Sequence, residues 1–226
     1  METGLRKELY SFMAPAWSGT AGRETSDEFV VPDTMPDAAS IVNMEGILTI
    51  RGKDTEPGHI QMSASVSVSV VYAPEGGGGL RSMDLTLPAD IRIDAPGVDE
   101  TCSTVARMRL RGVDARVVNS RKIAVRADIE AEARSYRETS LELAVGLAAD
   151  AAPAHILEGT AEAVVVSDVR EKTFAVTDEY AYPSGCTGSE SLLSRRVEAL
   201  IEDVKYVGGK AVFRGRVRAE LLFCDP

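Results

Sequence analysis

The stretch His59–Tyr72 reads HIQMSASVSVSVVY, and its alternation decides the fold class. Apolar side chains stand at every second position with glutamine or serine between them; the apolar set is Ile60, Met62, Ala64, Val66, Val68 and Val70. A helix cannot gather such a set on one side, whereas a strand points alternate side chains to opposite faces. The stretch therefore predicts a half-buried β-strand.

Three other runs of the chain show the same two-residue alternation. Their apolar positions lie in Ile123–Ala133 of KIAVRADIEAEA, in Leu141–Leu147 of LELAVGL and in Ala211–Leu221. Strands that alternate in this way bury one face and present the other to water, which is typical of antiparallel sheets. Together the four runs predict an all-β fold of antiparallel strand modules with a sandwich-like arrangement.

Residues that favour turns lie between these runs. They are Glu56-Pro57-Gly58, Gly76–Gly79, Asn119-Ser120 and Gly208-Gly209. Asn-Ser between two strand-like runs predicts a tight hairpin. The four-glycine run predicts a flexible hairpin loop, since it lacks the Lys-Ser/Thr pair that a phosphate-binding loop requires.

Helix is predicted to be a minor part of the fold. Pro36–Val42 predicts one or two helical turns that begin at the proline. Leu5–Met13 fits a helix or a strand, and the sequence does not decide between them.

The sequence also contains an internal repeat, in which Asp27 aligns with Asp178 at an offset of 151 residues. Without a gap, Gly58 then aligns with Gly209, and positions that face inward stay inward. The aligned pairs are Ile60 with Ala211, Met62 with Phe213, Val66 with Val217 and Tyr72 with Phe223. Chance alignment would not preserve this register over two strands. We therefore predict two related units, residues 1–150 and residues 151–226.

The second unit is expected to be incomplete. The first copy continues past Tyr72 through further alternating runs, whereas the second reaches Pro226 just after the equivalent position. A sheet built in this way has an unpaired edge, which natural proteins rarely leave bare. Three interpretations stay open: both units share the later strands, a neighbouring subunit supplies strands, or the chain is a fragment of a longer protein.

Three stretches of the sequence resemble the SPOCS domain of spore coat morphogenetic proteins from endospore-forming Firmicutes. They are VVPDTMPDAASIVNMEGILTI, the turn and strand from Gly58 to Tyr72, and GVDARVVNSRKIAVRADIEAEA with its Asn-x-Arg-Lys hairpin. The resemblance covers most of residues 27–136 and, more weakly, residues 163–226. The sequence departs from the family where Thr187-Gly188 replace Pro36-Asp37, and it contains no LysM domain of the kind found in SipL-type members.

This resemblance implies a structural protein that acts through protein–protein contacts. The expected partners are copies of itself, other spore coat proteins, or both, so a homo-oligomer is expected. The family location implies synthesis in the mother-cell cytoplasm during sporulation, followed by deposition in the spore coat or on the spore surface. A head-to-tail polymer, in which one subunit's strand completes the next, is a sharper form of this hypothesis.

Composition argues against other classes of partner. The net charge of −10 disfavours nucleic acid, whose phosphates are bound by Lys and Arg. No apolar run approaches the roughly 20 residues that a membrane helix needs, so no membrane insertion is expected. The three cysteines, Cys102, Cys186 and Cys224, form no CxxC pair and no even disulfide set, so free thiols are expected. Cys224 could instead cross-link neighbours in an oxidising assembly.

The sequence offers little that could carry catalysis. Its two histidines, His59 and His155, lie in predicted turn or surface positions, and no GxSxG motif is present. We therefore predict no enzyme activity, no cofactor and no metal site.

Apolar residues of the last strand are instead the candidate interface. The candidates are Phe213, Val217, Leu221, Phe223 and Cys224, with the sole tryptophan, Trp17, as a further core or interface residue. The alternative function is a β-sandwich module that binds a surface glycan or peptide. The low aromatic content of 5% speaks against that alternative.

Overall fold

The computed structural model describes residues 4–148, 155, 157, 159–173, 177–179 and 192–223. Nine strands and no helix occur within these ranges. The strands are β1 (Leu5–Val30), β2 (Ala38–Glu56), β3 (His59–Pro74), β4 (Arg81–Pro88), β5 (Ile91–Asp94), β6 (Ser103–Asn119), β7 (Lys122–Leu147), β8 (Leu192–Val207) and β9 (Lys210–Phe223).

The strands form three antiparallel sheets. Sheet A has the order β1-β7-β6, and sheet B has the order β2-β3-β4, with β5 also paired to β3. Strands β8 and β9 form a separate two-stranded sheet, the β8–β9 hairpin. The predicted all-β, antiparallel fold class is confirmed.

Sheets A and B pack face to face around one core. The alternation of β3 is confirmed, because its even-numbered side chains from Ile60 to Tyr72 are at most 4% exposed. The odd-numbered side chains of β7 from Ile123 to Ala133 form the opposing wall and are at most 1% exposed. At Gly46 of β2 the sheets approach so closely that a Cβ would lie 2.5 Å from Val113 of β6.

One end of the sandwich, here called the Arg121 end, is organised by a single guanidinium group. Arg121 lies in the tight β6–β7 turn and donates to the carbonyl oxygens of Val31 and Met35 at 2.8 and 3.0 Å. It also donates to the carboxylates of Asp33 and Asp37, at 2.8 and 2.9 Å. These carboxylates hold the pKa of Arg121 above its ordinary value, the hydrogen bond to Asp37 first among the causes. Two stretches that carry the family resemblance, the Pro-Asp turn and the Asn-x-Arg-Lys hairpin, therefore bind each other.

The opposite end, here called the Arg137 end, holds the β2–β3 turn. Gly58 occupies this turn with a φ of +81°, a conformation that favours glycine. Its amide donates to the carbonyl of Val98, 2.9 Å away. Arg137 of β7 closes the same end, since its guanidinium donates to the carbonyl of Gly97 and to the carboxylate of Asp99. A hydrogen bond from the Thr101 hydroxyl is the main cause that keeps the pKa of Asp99 below its ordinary value.

Two expectations about local structure need correction. The predicted helix at Pro36–Val42 is wrong, because β2 begins at Ala38. Asp37 binds Arg121 and Ile41 pairs with Tyr72 of β3, so tertiary partners override a weak local preference. The run Leu141–Leu147 is not set apart by a turn; it continues β7 without a break. Leu5–Met13, which the sequence left undecided, is strand.

Candidate functional site

The β8–β9 hairpin repeats the β2–β3 hairpin in detail. Glu56 pairs with His59 across the first turn, and Val207 pairs with Lys210 across the second, at the same offset of 151 residues. Register shifts occur between Ile50 and Gly52 in β2 and between Ile201 and Asp203 in β8, again 151 residues apart. A further matched pair lies at Ile41/Asn43 and Leu192/Ser194. Two hairpins with the same turn and the same bulges have side chains directed in the same way.

Despite this match, β3 and its equivalent β9 differ in burial. In β9 the odd-numbered side chains occupy the places of the buried β3 face, yet Phe213 is 56% exposed and Val217 is 51% exposed. Residues of β8 paired opposite them extend the same apolar surface. We call this surface the hairpin face; it consists of Val197, Ala199, Ile201, Val204 and Tyr206 of β8 with Ala211, Phe213, Val217, Ala219 and Leu221 of β9.

β9 also lacks the second neighbouring strand that β3 has. β3 is paired with β2 on one side and with β4 and β5 on the other. From Lys210 to Leu222, β9 is paired with β8 alone among the strands that the structure describes. The hairpin therefore presents both an apolar face and an open row of backbone groups, the combination that invites another strand.

The hairpin is attached to the sandwich at its base. Leu193 and Ser194 are buried, and the carbonyl of Leu192 accepts a hydrogen bond of 3.3 Å from the Ser82 hydroxyl. Arg195 forms an ion pair of 3.3 Å with Asp84 on β4. Ser82 pairs with Val71, next to Tyr72, which places the base of the hairpin at the Arg121 end.

Three of the predicted interface residues share the hairpin face. Phe213, Val217 and Leu221 lie on it together, and all three are exposed. Phe223 lies at the end of β9 and is partly buried, while Cys224 falls outside the described residues. The structure does not bring Trp17 to this face; its side chain packs on the core of the sandwich and its ring covers Gly19.

A second apolar surface, which the sequence did not suggest as an interface, lies at the Arg137 end. β6 begins at Ser103, opposite Tyr136 of β7, so beyond that point sheet A narrows to β1 and β7. The resulting two-stranded ribbon, here called the arm, consists of residues 5–14 paired with residues 137–147. Leu141 is 49% exposed, and Tyr10, directly opposite it, is 47% exposed.

The arm continues the core-facing side of sheet A. Odd-numbered residues of β7 face the core up to Ser135, and Leu141 and Leu143 follow in the same phase. A register shift between Pro15 and Trp17 brings Tyr10 onto the same side of β1. The alternation of LELAVGL was the sequence signal for this surface. Its exposure became clear only from the strand lengths, because β1 and β7 extend beyond the point where β6 begins and no described part of the chain covers them there.

A segment of the chain crosses the base of the arm. The amide of Met13 on β1 donates to the carbonyl of Val166 at 2.7 Å. Five residues further on, Glu171 binds Lys53 of β2 and accepts a hydrogen bond from the amide of Ala106 on β6. These contacts tie the region between the two repeats to the Arg137 end.

The two histidines lie apart in the described part of the chain. His59 lies 3.1 Å from the carboxylate of Glu56 across the β2–β3 turn, and His155 is exposed elsewhere. Within the described ranges no three His, Cys, Asp or Glu side chains are grouped to hold a metal ion. Cys102 is buried, and its sulfur lies 3.5 Å from Arg137.

A surface recess lies beside the base of the arm. It has a volume of about 520 Å³ and is lined by Trp17 and Tyr136 with Glu132 and Arg134. Among the described residues no helix is long and apolar enough to span a membrane.

Comparison with known proteins found no similar protein. No protein-family model, no curated protein and no solved structure matches this chain.

Proposed function

We propose that this protein is a structural, non-enzymatic assembly protein whose β8–β9 hairpin binds another protein chain. The observation that carries the proposal is the contrast between the two hairpins. β3 buries its apolar face in the sandwich, whereas the equivalent face of β9 is exposed, as is one edge of that strand.

The energetics favour burial of this surface in an assembly. Exposed side chains of the size of Phe and Val each contribute about 1.5–3 kcal/mol when fully buried, so a face of ten mostly apolar residues can drive association. Contiguous apolar patches of this kind on a soluble domain mark interaction sites. The charged side of the hairpin satisfies its own charges, as in the Arg218–Glu220 and Arg196–Glu198 ion pairs.

The family resemblance supplies the biological setting of the proposal. It supports a role in the spore coat or on the spore surface, with copies of the chain or other coat proteins as partners. A fluorescent fusion followed through sporulation should concentrate around the developing spore, and a fusion that stays diffuse would reject this location.

A binding module for a surface glycan or peptide is the second candidate. The recess between Trp17 and Tyr136 favours it, because aromatic rings bind apolar surfaces of such ligands. The hairpin face gives stronger support to the assembly role, since the Trp17 ring is directed toward the core.

Substitution of the hairpin face tests the assembly role. The double variant Phe213→Glu/Val217→Glu places two charges on the apolar face. The matched control Val212→Glu/Leu200→Glu places two on the opposite face, at residues that are 54% and 49% exposed. We expect oligomers for the unchanged protein and the control, and monomers for the face variant, by size-exclusion chromatography with light scattering. A monomeric unchanged protein at high concentration, or a face variant that still assembles, would contradict the proposal.

A further inference from the structure

We infer that subunits join head to tail, with the hairpin face of one copy packed on the arm of the next. This inference rests on the proposed function, because it assigns the partner surface for the hairpin face. The partner is a second copy of this chain, and the contact is between two different surfaces.

The two apolar surfaces lie at opposite ends of the molecule. The base of the hairpin contacts Ser82 and Asp84 at the Arg121 end, whereas the arm extends beyond Tyr136 at the Arg137 end. β3 runs between these ends from His59 to Tyr72, a span of about 40 Å at roughly 3.3 Å per residue. The hairpin face does not cover the subunit's own arm, since Phe213 and Leu141 are both about half exposed.

The repeat shows which kind of surface covers such a hairpin. In the first copy, the face of β2 and β3 packs on the core-facing side of sheet A, with Leu110 and Val113 of β6 against Gly46. The arm is the continuation of that side of sheet A beyond the end of the sandwich. An arm brought to the hairpin face would thus reproduce, between subunits, a type of packing that already exists within one.

Most charged groups beside the two surfaces are already paired within one ribbon. On the arm, Lys7 and Glu142 form an ion pair of 3.0 Å on the side away from Leu141. On the hairpin, Lys205 pairs with Asp203, and Arg216 pairs with Glu202. Two charged groups lie on the surfaces themselves. Glu8 is opposite Leu143 on the arm and accepts a hydrogen bond of 2.9 Å from the Tyr10 hydroxyl, so the contact has to leave this carboxylate at its margin, near water. Arg195 is opposite Leu221 on the hairpin and is already paired with Asp84.

A contact between two hairpin faces would be the rival arrangement. It would be isologous and would close at a dimer, leaving both arms exposed. Contact between unlike surfaces at opposite ends leaves one of each free at the ends of every complex, so that the chain of subunits extends.

Mixing two variants distinguishes these arrangements. The hairpin variant is Phe213→Glu/Val217→Glu, which keeps an intact arm. The arm variant is Tyr10→Thr/Leu141→Glu, which keeps an intact hairpin. Its control, Leu9→Thr, changes an exposed residue on the other side of the same ribbon. Thermal unfolding of each full-length variant first establishes that the sandwich is unchanged.

For head-to-tail joining, light scattering should show each variant alone as a monomer. An equimolar mixture should show dimers and nothing larger, because one intact arm and one intact hairpin remain. An arm variant that assembles alone as the unchanged protein does would overturn the inference and leave the assembly role standing. A mixture that stays monomeric would also overturn the inference. A hairpin variant that assembles alone would overturn the assembly role itself.

Discussion

At the scale of single residues, the Arg121 end depends on side-chain donors that hydrogen-bond to backbone carbonyl groups of the loop before β2. The Tyr72 side chain is completely buried, and its hydroxyl donates to the carbonyl of Pro36 at 3.0 Å. Burial disfavours the phenolate and raises the pKa of Tyr72 above its ordinary value. This hydroxyl and the Arg121 guanidinium together satisfy the carbonyls of a loop that makes no ladder hydrogen bonds of its own.

Removal of the Tyr72 hydroxyl should lower the stability of the fold. Tyr72→Phe leaves the Pro36 carbonyl without that donor at a buried site, and we expect the free energy of unfolding to fall by about 1–2 kcal/mol. The control Thr86→Val removes an exposed hydroxyl on β4, away from both proposed surfaces, and should have almost no effect. Urea denaturation measures both. Equal stability of the two variants would show that the Tyr72 hydroxyl contributes nothing.

At the scale of elements, β2 and β6 approach most closely at Gly46. A Cβ there would lie 2.5 Å from Val113 and 2.6 Å from Leu110, both side chains that pack against the core. Gly46→Ala should therefore destabilise the sandwich by about 1–3 kcal/mol through overpacking. Gly52→Ala, on the same strand with no atom within 4 Å of the added Cβ, is the control. Thermal unfolding compares them, and a stable Gly46→Ala variant would refute the close approach.

The strands could largely be predicted from the sequence, but their extent could not. In β3 from Ile60 to Tyr72 and in β7 from Ile123 to Ala133 the core-facing side is apolar and the period of two is unbroken, so the pattern alone identifies a strand. In the first part of β1 apolar residues lie on both faces of the strand, since Leu9 is opposite Glu142 and Tyr10 is opposite Leu141, so Leu5–Met13 lacks a clean two-residue alternation. The length of β1 depends on its partner β7, a long-range contact that no local pattern contains.

At the scale of the whole molecule, the sequence predicted one of the two candidate surfaces. Phe213, Val217 and Leu221 could be chosen because the repeat placed them on a core-type face. The arm could not be chosen, since LELAVGL has the pattern of any half-buried strand. The arm is exposed because β6 begins only at Ser103, opposite Tyr136, and so leaves β1 and β7 uncovered beyond that point. Packing at the Arg137 end sets where β6 begins. The division into units at residue 150 stays a prediction.

Salt should strengthen the association between subunits. The net charge of −10 repels copies of the chain from one another, while the surfaces proposed to meet are apolar. Raising the salt from about 0.1 to about 1 M shortens the Debye length from about 10 to about 3 Å and screens that repulsion. Analytical ultracentrifugation should therefore show a dissociation constant that is unchanged or lower at high salt. A constant that rises tenfold would point to an interface held by opposite charges.

The continuous ladder between β1 and β7 has a mechanical consequence. Its cross-strand pairs run from Leu5 with Leu147 to Val30 with Lys122, along the full length of the sandwich and the arm. Antiparallel hydrogen bonds lie perpendicular to the strands. A pull that draws the Val30 end of β1 and the Leu147 end of β7 in opposite directions therefore loads these bonds in shear, many at once, and they cannot be opened one by one as in the unzipping of a hairpin. Sliding β1 past β7 therefore requires many hydrogen bonds to break together, which resists extension of the ribbon along its strands.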